Sequence, residues 1–433
     1  MRTELTERQA NQVNTVHLPA LGSLPSEKGL ELYLPINSYQ SNGTIPREYH
    51  DRQRIIWGVY DEGAYKAGIP VIELLLADAV DVFVVAGGAA SRSLQGKIDS
   101  LGLRATRFSP SKDLMRLTGD LVVSGSDPTK HLEQVLIAQG ISRGERTIKY
   151  EDNSPFMAYY DRVLARQGLL VVPDFAFFAS ERSLEQSIKY VSAYQGRGVV
   201  VGNPADDRFF YEDTEENYER VRKELGVEDD EWFIVYAATK TEATFHTGND
   251  LVQHAIKELD TQRYKFTFRV HPNEYNDPLI AARYAGVLES LGNHGVDTMI
   301  RNKDGRLRYS MDEIRQAADI VVTDTSTTGR EAIFDKGMRG GKGPRLVVHA
   351  MIPANMRLRP EWTNELPPDP SVVLDGSSAV VRGWRDFPRI LNSIINDRAT
   401  RERMWAASRV WKQMNDGRST ERFANKILEI VSV

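Results

Sequence analysis

The sequence predicts an α/β protein of two doubly wound, Rossmann-like domains facing a cleft. Three observations carry this prediction. Short β-branched runs alternate with segments of helical period, the runs are apolar at consecutive rather than alternate positions, and the series occurs twice, on either side of a charged segment at 206–231. Strands apolar on both faces belong to a parallel sheet covered by helices on both sides. At 433 residues, 41% hydrophobic and 27% charged, the chain is long enough for two or three domains with cores of their own.

Residues 1–50 scatter Pro, Gly, Ser and Asn and are read as an N-terminal extension. The first domain, 51–205, carries strand-like runs IIWGVY at 55–60, VFVVAG at 82–87, DLVVSG at 120–125, TIKYED at 147–152, LLVVPD at 169–174 and GVVVGN at 198–203. Helical periods fill 64–79 and 131–139 between them. The second domain, 206–385, carries FIVYAAT at 233–239, KFTFRV at 265–270, TMIRN at 298–302, DIVVTD at 319–324, RLVVHA at 345–350 and SVVLDG at 371–376. Ser310 followed by Glu313 reads as a capping box opening the helix before the fourth of these. Helices over 384–396, 400–414 and 419–431 close the chain, with NDGR turning between the last two. The terminal segment 386–433 is expected to pack back on the first domain.

Composition narrows the function. A net charge of −5 offers no overall attraction for nucleic acid, and the absence of cysteine excludes disulfides and thiolate metal sites. No stretch reaches the roughly 20 apolar residues of a spanning helix, and the polar opening residues lack the apolar core of a signal peptide. A cytoplasmic location is expected, with peripheral membrane contact left open. No GxGxxG follows the first strand, and GMRGGKGP at 337–344 follows a helix and lacks the ending of a P-loop. Serine-hydrolase elbows and HExxH are absent. The acidic pairs in 206–207 and 228–231 read as solvent-facing charge.

In doubly wound sheets, ligands bind beyond the carboxyl ends of the strands. The segment ADIVVTDTSTTGREAIFDKG at 318–337 places Asp324, Thr325, Ser326, Thr327, Thr328 and Gly329 at such an end, with Glu331 in the helix that follows. Unpaired N–H groups and the positive dipole end of that helix suit an anion. The hydroxyls add donors, Gly329 lets a ligand approach the backbone, and Glu331 is placed to accept from a ribose diol. We read a nucleotide-diphosphate site; the competing reading is an ordinary capped helix. FRVHPNE places His271 and Asn273 after another strand, and AATKTEAT places Lys240 after a third. A histidine there donates to a diphosphate; Lys240 meets a phosphate as a point charge or is a solvated loop lysine. In the first domain, SGSDPTKH places Asp127 after one strand and KYEDNSPF places Glu151 and Asp152 after the next. Carboxylates there suit general-base catalysis, or else cap a turn before Pro155. Asp127, followed by Pro128, also suits a turn. Glu151 is taken as the base, with Asp152 in reserve.

The motifs resemble those of GT-B-type enzymes, which include nucleotide-sugar glycosyltransferases, UDP-N-acetylglucosamine 2-epimerases and CDP-glycerol glycerophosphotransferases. SGSDPTKHLEQVLIAQG followed by KYEDNSP is similar to a strand–helix–strand of the epimerase-like proteins, and VVVGNP at 199–204 to the close of their first domain. FRVHPNE resembles a strand-then-HP signature, and VVTDTSTTGREAI an aspartate, a small-residue turn and a ribose-binding glutamate. NMRLRPE at 355–361 resembles an arginine-rich loop, and NDGRSTERFANKILEIV a closing helix that crosses back to the first domain. The resemblance implies that His271, Thr325, Ser326, Thr327, Thr328 and Glu331 face the nucleotide and that the Glu151 region faces the reacting sugar. Two departures weigh against an epimerase: GVYDEGAYKAG lacks the arginine of the epimerases' first loop, and Arg330-Glu331 stands where they have two acids. The implied activity is a metal-independent glycosyltransferase of polysaccharide or other glycan biosynthesis. It uses a nucleotide-diphosphate sugar, UDP-linked in the first instance, with no further cofactor and with a glycan, lipid-linked glycan or other hydroxyl as acceptor. The first domain then binds the acceptor and the second the donor. The alternatives are an epimerase, a CDP-linked polyol-phosphate transferase and a non-catalytic nucleotide-binding protein.

Overall fold

The computed structural model describes residues 30–35, 53–106, 117–125, 132–152, 156–166, 168–211, 215–238, 248, 250–251, 258–259, 263–270, 278–334, 342–357 and 369–432. The chain forms two compact units, one of residues 1–207 with 417–433 and one of residues 208–416.

The first unit is built on an eight-stranded sheet: β1 Leu30–Pro35, β2 Arg54–Val59, β3 Asp81–Gly87, β4 Leu103–Thr106, β5 Leu121–Ser124, β6 Arg146–Tyr150, β7 Phe175–Phe178 and β8 Gly198–Val200, in the order β4-β1-β3-β2-β5-β6-β7-β8. The run from β3 to β8 is parallel throughout. The central strands are buried at nearly every position, as strands covered on both faces must be. Two departures from the sequence reading arise here. Part of the expected N-terminal extension is β1, which pairs antiparallel with β3 and β4, with Leu32 and Tyr33 buried. LLVVPD is not a strand; FAFF at Phe175–Phe178 takes its place. Pro173 has no N–H for a ladder, and Asp174 turns aside to accept from the Thr147 amide and hydroxyl, both at 2.9 Å.

The second unit holds a five-stranded, all-parallel sheet: β9 Trp232–Ala237, β10 Tyr264–Arg269, β11 Ile320–Thr323, β12 Leu346–Ala350 and β13 Ala379–Val381, in the order β10-β9-β11-β12-β13. The Ser310–Glu313 capping box forms, the Ser310 hydroxyl accepting from Glu313 N at 3.1 Å and Glu313 from Ser310 N at 2.8 Å. TMIRN is irregular; the Thr298 amide donates to the Tyr284 hydroxyl instead of to a strand. SVVLDG supplies a short helix, Ser371–Leu374, because Pro370 O accepts from Val373 N and Leu374 N; the last strand comes later, at Ala379–Val381.

The closing helices divide between the units, which corrects the expectation that all of 386–433 packs on the first domain. Asp386–Asn396 and Arg398–Met414 belong to the second unit, where Phe387, Leu391, Ile394 and Met404 share a core with Val348. Only Ser419–Ser432 joins the first unit, laying Phe423, Ala424, Ile427 and Ile430 against Trp57, Tyr150 and Phe177. Its start is capped from a distance: the Asp207 carboxylate accepts from Ser419 N at 3.0 Å and Thr420 N at 2.7 Å. Asp206 and Asp207 are thus buried rather than solvent-facing. Asp207→Ala removes both acceptors from a helix N-terminus and is expected to cost about 1 kcal/mol, read as a lower urea midpoint; an unchanged midpoint would show that the cap contributes nothing.

Candidate functional site

The second unit's candidate site residues lie at the carboxyl end of β11. Thr323 ends that strand and donates its hydroxyl to Ala237 O at 3.0 Å, which ties the ends of β11 and β9 together. Asp324 is buried, and its carbonyl lies 2.7 Å from Nδ1 of the buried His349 on β12. A carbonyl only accepts, so Nδ1 carries the hydrogen and Nε2 presents a lone pair. Among the described residues, Nε2 has no hydrogen-bond partner. Thr325, Ser326 and Thr327 are half-buried, and the helix Thr327–Phe334 follows. The Ser326 hydroxyl accepts from Thr328 N at 3.3 Å and donates to the Thr328 hydroxyl at 3.1 Å, so it caps the first turn. Ser326 takes two N–H groups of that turn, Thr328 N on its hydroxyl and Gly329 N on its carbonyl at 3.2 Å, so an anion there would be drawn by the helix dipole and the turn's hydroxyls more than by open N–H groups.

Gly329 has a packing role that the sequence did not show. A Cβ there would lie 2.8 Å from Thr323 Cγ2 and 2.9 Å from His349 Cε1. The missing side chain therefore seats the helix on the sheet. Burial holds the His349 imidazole below its ordinary value of 6.5, only partly offset by its bond to the Asp324 carbonyl. The sign follows. The unfolded chain binds this proton more readily than the folded one, so stability is intact above about pH 6.5 and falls as pH drops through that value toward the lower folded pKa. His349→Asn retains an N–H for Asp324 O and removes the titration. Urea unfolding between about pH 7.5 and 5.5 should give a flatter pH dependence for the variant; parallel dependences would show that His349 does not titrate on unfolding.

Glu331 lies one turn further along, 9% exposed. Its Oε1 is 3.5 Å from an Nη of Arg208. Arg208 also grips Asp312 at 2.9 and 3.4 Å and lies 4.5 Å over the Phe209 ring. Sequence reasoning missed Arg208 and Asp312, since both sit in stretches dense with charge; the cue was the adjacency of Arg208 to an aromatic pair. Lys240, His271 and Asn273 lie outside the described residues, as do most of the arginine-rich loop at 355–361 and Asp127 of the first unit.

The two acids of the first unit follow β6 and differ in surroundings. Glu151 is 3% exposed and accepts from the Ser183 hydroxyl at 2.6 Å and from Ala179 N at 3.1 Å. It thereby anchors the start of the helix Glu181–Tyr190. Asp152 is 9% exposed, and its carbonyl accepts from the Asn203 amide at 3.2 Å. Its carboxylate rests on the first turn of the helix Glu62–Ala77, where a Cβ on Gly63 would lie 2.5 Å from Oδ2. The same helix receives Tyr150, whose hydroxyl donates to Ala64 O at 2.8 Å.

Comparison with known proteins places this architecture. Residues 172–329 match the family model of CDP-glycerol:poly(glycerophosphate) glycerophosphotransferase, a span that runs from before β7 to the first turn of the helix Thr327–Phe334. Among solved structures, the MnaA–UDP structure of S. aureus is similar at a TM-score of 0.60 and 14% identity, covering 88% of this chain and 98% of that one. The UDP-GlcNAc 2-epimerase of Neisseria meningitidis bound to UDP-GlcNAc follows at 0.58 and 14%, covering 87% and 100%. HepE of Anabaena in complex with UDP and glucose gives 0.55 and 13%, covering 87% and 100%. The chain has a GT-B fold. A comparison with curated proteins finds no match. Among its described residues, this GT-B chain has no helix long and apolar enough to cross a membrane and no cluster of three or more His, Asp or Glu side chains able to hold a metal ion.

Proposed function

We propose that the chain is a transferase that consumes a nucleotide-diphosphate-linked donor, in the first instance a UDP-linked sugar passed to an acceptor hydroxyl in glycan biosynthesis. The observation that carries this reading is the helix opening at Ser326, Thr327 and Thr328 on the carboxyl end of β11, with Glu331 one turn beyond, inside or next to the span of the family match. The helix dipole and hydroxyls there would receive the departing diphosphate as its charge grows, without calling on a metal. Glu331 would accept from the ribose hydroxyls, and His271, Asn273 and Lys240 are proposed as further diphosphate partners. Fold neighbours solved with UDP or UDP-GlcNAc support a uridine nucleotide. In the first unit we assign the acceptor's proton to Asp152. Glu151 already receives two hydrogen bonds from the chain and is proposed to brace the loop, with Asp127 serving the neighbouring turn.

The family match favours a second reading, transfer of a polyol phosphate from a CDP-linked donor. The two differ in the bond that breaks. Sugar transfer cleaves the anomeric C–O bond and releases a nucleoside diphosphate; polyol-phosphate transfer cleaves a P–O bond within the diphosphate and releases a nucleoside monophosphate. A thermal-shift screen of UDP, CDP, GDP and ADP conjugates comes first, since a ligand at 100 times its Kd adds about 2.7 kcal/mol. Chromatography of the products then decides. UDP release supports sugar transfer, CMP release the polyol-phosphate reading, and conversion of the nucleotide sugar without acceptor an epimerase. Absence of any shift would end the donor-site reading.

A further inference from the structure

We propose that Arg208 is a positioning residue of the nucleotide site: it holds the Glu331 side chain in the orientation that receives the ribose hydroxyls. The inference rests on the ribose role of Glu331 proposed above and goes beyond it, because Arg208 belongs to none of the motifs that suggested the site.

The geometry around Arg208 leaves its guanidinium little freedom. Asp312, in the first turn of the helix Met311–Ala317, takes both Nη atoms, at 2.9 and 3.4 Å. The Phe209 ring supports the guanidinium at 4.5 Å from its Cζ. That ring is itself stacked on Phe334, with centroids 6.1 Å apart and planes 7° apart, and Phe334 ends the helix that carries Glu331. One Nη then lies 3.5 Å from Glu331 Oε1. A second arginine holds the main chain of the same residue. The buried Arg315 donates to Glu331 O at 3.3 Å, contacts Asp312 at 3.4 Å, and lies 4.9 Å from the Phe209 ring. Two arginines thus flank one ring and secure Glu331, one by its carbonyl and one by its carboxylate.

Ribose recognition asks one rotamer of a side chain with three rotatable bonds, and ordering such a chain costs entropy. A guanidinium already fixed by a carboxylate and a ring meets that cost before the ligand arrives. The Arg208 side chain is 35% exposed, so its ion pair adds little to folding stability. What it supplies is orientation.

Calorimetry on the full chain tests this with four probes: UDP, CDP and the 2′,3′-dideoxy form of each. Wild type should prefer the ribonucleotide, and Glu331→Ala should erase that preference. Arg208→Met should weaken ribonucleotide binding about tenfold and leave dideoxynucleotide binding within about twofold, with the double variant no worse than Glu331→Ala alone, as coupled residues behave. Arg208→Lys, a charge without a fork, should fall between wild type and Arg208→Met, and it carries the test if the methionine variant does not fold. Equal loss for both nucleotide forms, or no loss, while Glu331→Ala still erases the preference, would overturn the role of Arg208 alone. A preference that survives Glu331→Ala, or no binding of either nucleotide to wild type, would overturn the ribose reading and this inference with it.

Discussion

Asp152→Asn is expected to leave nucleotide affinity unchanged and to cut turnover by about 10²–10⁴-fold, the usual contribution of a general base. Two neighbouring carboxylates follow β6, and their surroundings differ. Glu151 is the deeper of the two, 3% exposed against 9%, and its carboxylate holds the start of the helix Glu181–Tyr190 by accepting from the Ser183 hydroxyl and Ala179 N. Asp152 is tied to the chain through its carbonyl, by Asn203, and its carboxylate lies over the helix turn at Gly63. The amide of asparagine has the same shape and cannot take the proton. Glu151→Gln should behave differently. It turns an N–H toward a hydroxyl or an amide that is itself a donor, so the expected result is lost stability of about 1–3 kcal/mol and a smaller loss of turnover. Single-turnover transfer, measured beside donor binding and urea unfolding, separates the two residues. Full activity in Asp152→Asn with loss in a stable Glu151→Gln would reverse the assignment, and full activity in both would remove the pair from the mechanism.

What the sequence made legible followed from local rules. The double-faced strands β2, β3, β5, β9 and β11 were readable because an unbroken β-branched run has few other uses, and the Ser310–Glu313 box because its spacing is the mechanism. LLVVPD and SVVLDG misled for the same reason: an apolar run states that a segment is buried, and a ladder also needs N–H groups free to pair. Pro173 removes one such group, and Pro370 offers its carbonyl to a helical turn instead. The features that the sequence concealed are long-range. Nothing local connects Asp207 with Ser419, Arg208 with Glu331, or Gly329 with His349; each pairing exists because the fold brings distant segments together. Gly329 is an example: packing of helix on sheet requires a glycine there, whatever ligand the neighbouring hydroxyls meet.

Phe423→Ala is expected to destabilise the first unit by about 3–5 kcal/mol, the range for deleting a buried phenylalanine. Phe423 is 1% exposed on the helix Ser419–Ser432, and its ring centroid lies 4.9 Å from Phe177, 5.5 Å from Tyr150 and 5.8 Å from Trp57. Those three rings come from β7, β6 and β2, so one side chain joins the terminal helix to three strands of the sheet. The site around it has little room to collapse. Tyr150 is committed to Ala64 O at 2.8 Å, and the Trp57 indole N–H donates to the Tyr150 hydroxyl at 3.3 Å, so neither ring can swing into a cavity without breaking a buried hydrogen bond. That places the expected cost toward the upper part of the range. Phe423→Leu fills most of the space and should cost markedly less. Tyr150 immediately precedes Glu151 and Asp152, so a shift of this cluster would reach the acids; turnover should therefore fall in Phe423→Ala under conditions where the protein is still folded. Urea unfolding and transfer assays read both effects. A lower midpoint at unchanged m is the expected signature of lost packing. A cost below about 1 kcal/mol would mean that the helix does not depend on this contact, and lost stability with full turnover would uncouple the aromatic cluster from the acids that follow it.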